Sequence, residues 1–159
     1  MHTLLRAVAF GVVVLALSGI QSLAQGTDQI VGTWELNVAR SKYSPGPAPK
    51  SETRTYVMAG ADIKATAKGV DGAGKPITAT WTVNYDGKDR PQTGNPDAEA
   101  LSLKRIDAFT AEFTQKRAGK VVITGTRTIS RDGEVMTITT RGIDAQGQTL
   151  NNVEVFEKR

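Results

Sequence analysis

A chain of 159 residues with 20 basic and 16 acidic residues, one histidine and no cysteine admits few catalytic chemistries. The single histidine is His2, so beyond the extreme N-terminus no Ser-His-Asp or Cys-His site can be assembled, and the usual nitrogen and sulfur ligands of zinc, copper or haem are missing. A net charge of +4 with both signs interspersed is what keeps a small domain in solution and requires no anionic partner such as nucleic acid.

Residues 1–24 read as a secretory signal peptide. Arg6 supplies the positive start, Ala7 to Leu17 is an uncharged apolar run, and Ser22-Leu23-Ala24 places small residues where a signal peptidase cleaves. The run is shorter than the roughly 20 residues that cross a bilayer, so no stable membrane anchor is expected. Residues 25–159 are then one periplasmic or secreted domain, held by its core and hydrogen bonds without disulfides.

Beyond residue 25 the chain alternates between β-rich runs and glycine turns. The expected strands are Val31–Val38, Glu52–Met58, Ile63–Val70, Thr78–Asp86, Ala100–Ile106, Ala111–Lys116, Val121–Ile129, Val135–Arg141 and Asn152–Lys158, with Arg90–Thr93 as a possible tenth. The clearest alternation puts Ile77, Ala79, Trp81, Val83 and Tyr85 on one face and Thr78, Thr80, Thr82 and Asn84 on the other. Turns such as Asp86-Gly87, Ala118-Gly119 and Asp132-Gly133 place glycine where hairpins need it. Neighbours in sequence thus become neighbours in space. The expected fold is all-β, an antiparallel up-and-down barrel of about 8–10 strands, because closure removes exposed strand edges. A two-sheet sandwich is the alternative.

Two connections stand apart. Ser41 to Lys50 carries Pro45, Pro47 and Pro49 at alternate positions, which excludes helix and central strand and leaves an extended cover. Asp89 to Glu99 is polar and turn-rich, and Asp89, Asn95 and Asp97 make it a candidate functional loop.

The first strand, Val31-Gly32-Thr33-Trp34-Glu35-Leu36, and the last, Val153-Glu154-Val155-Phe156-Glu157-Lys158, resemble the two ends of the calycin group, the lipocalins and intracellular fatty-acid-binding proteins. The part after the leader is also similar to small secreted bacterial proteins of unassigned function described as lipocalin-like, through Gly32, Ser44-Pro45-Gly46-Pro47 and Thr93-Gly94-Asn95-Pro96. The resemblance implies a lipocalin-like barrel with an interior ligand site. It also implies a difference. Where fatty-acid-binding proteins hold a carboxylate with an arginine and a tyrosine two apart on the last strand, this chain has Glu154 and Phe156. An inward Glu154 suits a neutral or cationic apolar molecule. The proline stretch replaces the helical lid of those proteins.

The leading expectation is non-catalytic binding of a small apolar or amphipathic molecule, with Trp34, Tyr56, Trp81, Tyr85, Phe113, Glu154 and Phe156 lining or closing the cavity. A structural or protein-interaction domain with a filled core is the rival. A hydrolase using Asp86, Asp89, Asp97, Glu99 or Asp107 is a third reading, but no spacing pairs these acids. The basic pairs Lys104-Arg105 and Lys116-Arg117 with Phe109 and Phe113 between them read as solvated strand faces rather than a nucleic-acid track. No catalytic residue, metal ligand or cofactor is assigned. Expression with export intact should yield a protein beginning at Gln25 in the exported fraction. N-terminal sequencing checks this, and an uncleaved, membrane-retained product contradicts it.

Overall fold

The computed structural model describes residues 28–159; the expected signal peptide, residues 1–24, lies outside them. Ten strands follow in chain order: β1 (Gly32–Leu36), β2 (Ser51–Ala59), β3 (Asp62–Val70), β4 (Pro76–Val83), β5 (Arg90–Thr93), β6 (Ala100–Arg105), β7 (Thr110–Arg117), β8 (Lys120–Ile129), β9 (Val135–Ile143) and β10 (Thr149–Lys158). Each pairs antiparallel with the next, and β1 pairs with β10 to close the barrel. Among the described residues the only helical element is a 3-10 turn, Val38–Arg40. No helix there is long and apolar enough to cross a membrane.

Closure runs through the register Trp34↔Lys158, Glu35↔Glu157 and Leu36↔Phe156. The first strand is shorter than its alternation predicts because Asn37 caps the 3-10 turn, its side chain accepting from the Arg40 amide at 3.1 Å. The chain then rejoins the sheet. Lys42 and Val153 exchange two backbone hydrogen bonds, and the Asn151 amide donates to the Ser44 carbonyl. The proline stretch is therefore a strand extension at its start and an extended cover only from Pro45 onward. This continuation completes the β10 ladder where β1 has ended, so neither edge is left open.

β5 is the least secured strand. It meets β4 only through Thr80↔Thr93 and Trp81↔Gln92, and β6 only through Arg90↔Leu101 and Pro91↔Ala100. Pro91 and Pro96 explain the brevity, since proline cannot donate to a ladder.

The core occupies one end of the barrel. Ile63 and Ala111 lie one residue inside the starts of their strands, Met136 likewise, while Val83 and Ile129 end theirs. All sit beside the β2–β3, β4–β5, β6–β7 and β8–β9 turns, together with Phe156 of β10. Ile30 and Trp34 plug this end, both fully buried, and the Trp34 indole donates to the Ile30 carbonyl at 2.7 Å. Gly32, at φ 134°, leaves space for the Lys158 side chain, whose ammonium lies 5.1 Å from the Trp34 ring centre. A β-carbon there would come within 2.9 Å of that lysine. Trp34→Ala is expected to cost about 3–5 kcal/mol, measured as the loss in a urea unfolding titration.

Candidate functional site: an interior cavity

At the other end the side chains do not fill the barrel. A cavity of about 680 Å³ is lined by residues from every strand between β2 and β9. Its existence follows from small residues on the inward faces. Ala67 of β3 and Ala79 of β4 are cross-strand partners, and both line the space. The inward residues of β4, Ile77, Ala79 and Trp81, are accordingly only half-buried although they face the interior. Ile63 and Val83 form the floor where the cavity meets the core. The cavity reaches the surface between the exposed Lys75 and Pro76 after the β3–β4 turn and the exposed Gly94 and Pro96 after β5.

Aromatic rings shape the walls. Tyr56 and Trp81 pack edge to face, 6.0 Å between centres. Phe113 of β7 lies against Gly125 of β8, its cross-strand partner. A β-carbon at residue 125 would fall 2.4 Å from the Phe113 ring, so glycine is what lets the ring lie against the wall.

Of the expected cavity residues, Tyr56, Trp81 and Phe113 line the space. Trp34 and Phe156 are fully buried in the core beneath it. Tyr85 stands just behind the lining, its hydroxyl accepting from Arg127 at 2.6 Å. In the candidate loop, Asn95 lies at the mouth and its amide donates to Gln115 Oε1. Asp97 instead joins two loops by accepting from the Ala145 amide, and Asp89 pairs with Lys116 at 2.6 Å. Asp86 is engaged by Arg90, Asp107 caps its own turn through the Phe109 and Thr110 amides, and Glu99 accepts from Ala118. These carboxylates serve separate local contacts, and no acid–base pair forms among them.

Glu154 lies on the same face of β10 as Phe156 and so points inward, but outside the cavity lining. It is one arm of an ion cluster. Arg54 of β2 contacts Glu52 at 2.5 Å and Glu154 at 3.2 Å, and its guanidinium lies 4.6 Å from the Phe156 ring centre. The three side chains are 16, 8 and 12% exposed, respectively for Arg54, Glu52 and Glu154. Burial lifts the Glu154 carboxyl above its usual range; Arg54 opposes the shift and Glu52 adds to it. The same two acids, with burial, push the Tyr43 phenol upward, so that hydroxyl stays protonated. Glu154 thus pairs with Arg54, which it shares with Glu52, instead of lining the cavity.

Three further inward charges, Glu52, Arg54 and Arg127, were not singled out from sequence. Arg54 falls between Glu52 and Tyr56 on the buried face of β2. Arg127 shares the inward face of β8 with Ile123 and Ile129, is 8% exposed, and lines the cavity. An arginine in phase with isoleucines on a strand's apolar face is the signal that would have found it.

No protein-family model matches the chain. No curated protein matches it either. Among solved structures, the chain is similar to zebrafish ileal bile acid-binding protein complexed with cholic acid, at TM-score 0.47 and 15% identity, over 82% of this chain and 99% of that one. It is similar to a redesigned β-barrel, mFAP1, bound to DFHBI, at TM-score 0.46 and 13% identity, over 82% and 95%. A third likeness is to the siderocalin Ex-FABP, at TM-score 0.39 and 9% identity, over 82% and 74%.

The raised Glu154 pKa has a consequence for stability. The native state holds this proton more tightly than the unfolded chain, so the contribution is present below the unfolded value of about 4.3 and is lost as pH rises through the folded value. Arg54, Glu52 and Tyr43 are the groups facing it. Urea titrations across this range should show wild type losing stability relative to Glu154→Gln as pH climbs, then running parallel to it. Parallel curves throughout would contradict the shift.

Proposed function

We propose that this protein is a non-catalytic binding barrel that carries a small apolar or amphipathic molecule in its interior, outside the cytoplasm if the expected signal peptide directs it there. The cavity carries the reading. Its volume of about 680 Å³ falls within the range of about 300–1,000 Å³ typical of small-molecule sites. Tyr56, Trp81, Phe113, Leu101 and Ile138 supply an apolar wall, and Glu52, Arg54, Gln92 and Arg127 supply a few polar groups. This combination of a largely apolar surface with sparse polar points gives affinity through burial and orientation through hydrogen bonds.

The short β5 supports access to the site. With two residue pairs on each side, this strand and the Gly94–Pro96 turn form the part of the wall that can yield at least cost in backbone hydrogen bonds. The rest of the barrel holds longer ladders. A ligand would pass between this segment and Lys75–Pro76.

The experiment uses the mature protein purified from its native compartment. Native mass spectrometry should show extra mass that organic extraction removes, and the extracted protein should take up an apolar fluorescent dye. Ala67→Phe, which places a ring in the empty space, should abolish dye uptake while thermal stability is kept or raised. A clean unliganded mass together with no dye uptake by the unmodified barrel would sink the proposal.

A further inference from the structure

Among the described residues, Arg54 and Arg127 line the cavity, and of these two only Arg54 meets a counter-ion. Arg54 has two carboxylates within 3.2 Å. Arg127 is as deeply placed, 8% exposed, yet among the described residues no carboxylate lies within salt-bridge distance of it. Its Nη2 donates to the Tyr85 hydroxyl at 2.6 Å, and its Nε is buried with no hydrogen-bond partner among the described residues.

Tyr85 does not supply the missing charge. Burial raises its pKa, so it remains a neutral phenol. Behind it Asp28 is already held by Arg105 at 2.5 Å and by the Ile30 amide at 3.1 Å. Arg105 also lies 3.8 Å from the centre of the Tyr85 ring. The tyrosine therefore fixes Arg127 and stands between it and Asp28, which also engages the Tyr85 hydroxyl. A guanidinium cannot escape burial by losing its proton, unlike a lysine or histidine. Leaving it unpaired in a low-dielectric site is costly to the empty protein.

We infer that the cavity takes an apolar acid, one anionic group attached to a hydrophobic body, and that the acid pairs with Arg127. This deepens the binding reading proposed above and rests on it. The surroundings fit a single buried head. The cross-strand neighbours of Arg127 are Ala111 on β7 and Ile138 on β9, neither of which competes for its hydrogen bonds. Two residues nearer the mouth, Gly125 and Phe113 form the adjacent wall. The acid group lies deep, and the hydrophobic body extends past Phe113 and Trp81 toward Pro76 and Pro96. The fork of the guanidinium suits a planar carboxylate, and the charge-assisted hydrogen bonds replace those that the empty site lacks.

The test uses three probes with one ring system: 2-naphthylacetate, 2-naphthylacetamide and 2-(2-naphthyl)ethylamine. Their dissociation constants are measured by calorimetry on extracted mature protein. The acetate should bind at least about tenfold more tightly than the amide. In Arg127→Met, and separately in Arg127→Gln, that ratio should fall to near one while amide affinity stays within about threefold of wild type, since its apolar contacts remain. The ligand-free Arg127→Met protein should melt no lower than wild type, because an uncompensated charge has been removed. The wild-type ratio is informative even if a variant fails to fold. Equal binding of acetate and amide, tightest binding of the amine, or a preference that survives in both variants would each overturn the assignment to Arg127. Failure of all three probes together with the apolar dye would instead overturn the cavity reading itself.

Discussion

The ladder between β1 and β10 is the constraint on which the molecule depends. Three residue pairs, Trp34↔Lys158 to Leu36↔Phe156, join the two ends of the described chain. The Lys42–Val153 exchange and the Ser44–Asn151 bond complete what β1 leaves unpaired. A sheet of ten strands closed in this way has an inside, and the pleat then decides which side chains share it. Every inward residue owes its position to that closure. The plug of Ile30 and Trp34 sits at the same seam, so the joint that closes the sheet also seals one end.

The interior is divided rather than uniform. Large apolar side chains fill the sealed end, and Ala67 and Ala79 leave room where a ligand would lie. On the β2 and β10 side, Glu52, Arg54 and Glu154 form a cluster that satisfies its arginine and presses it against Phe156. On β8, two strands from β10, Arg127 is held by one neutral hydroxyl. A buried charge that is paired is compensated within the fold, whereas one left unpaired costs stability.

Much of the wall was legible in the residues. The alternation of Ile77, Ala79, Trp81 and Val83 against threonines marks β4 and its inward face, and Tyr56 and Phe113 fall on inward faces for the same reason. Trp34 and Phe156 show the same aromatic character but lie in the core, because their strands cross the sealed end at those positions. The proline stretch reads as cover, yet its first residues pair with β10. Only the early end of β1 at Asn37 creates the free ladder they occupy.

By itself the sequence determines that these strands are antiparallel neighbours with one apolar face each, and that neither histidine nor cysteine chemistry is present beyond His2. Those properties are local: period-two patterning, short glycine turns and residue inventory carry them. The cavity, the pairing of Glu154 with Arg54, and the isolation of Arg127 were decided only by the tertiary structure. Each depends on which residues from strands far apart in the chain face one another across the closed interior. Glu154 meets Arg54 from 100 residues away, and Tyr85 reaches Arg127 across 42. Composition records the number of charges, but curvature and register decide which of them remains without a partner.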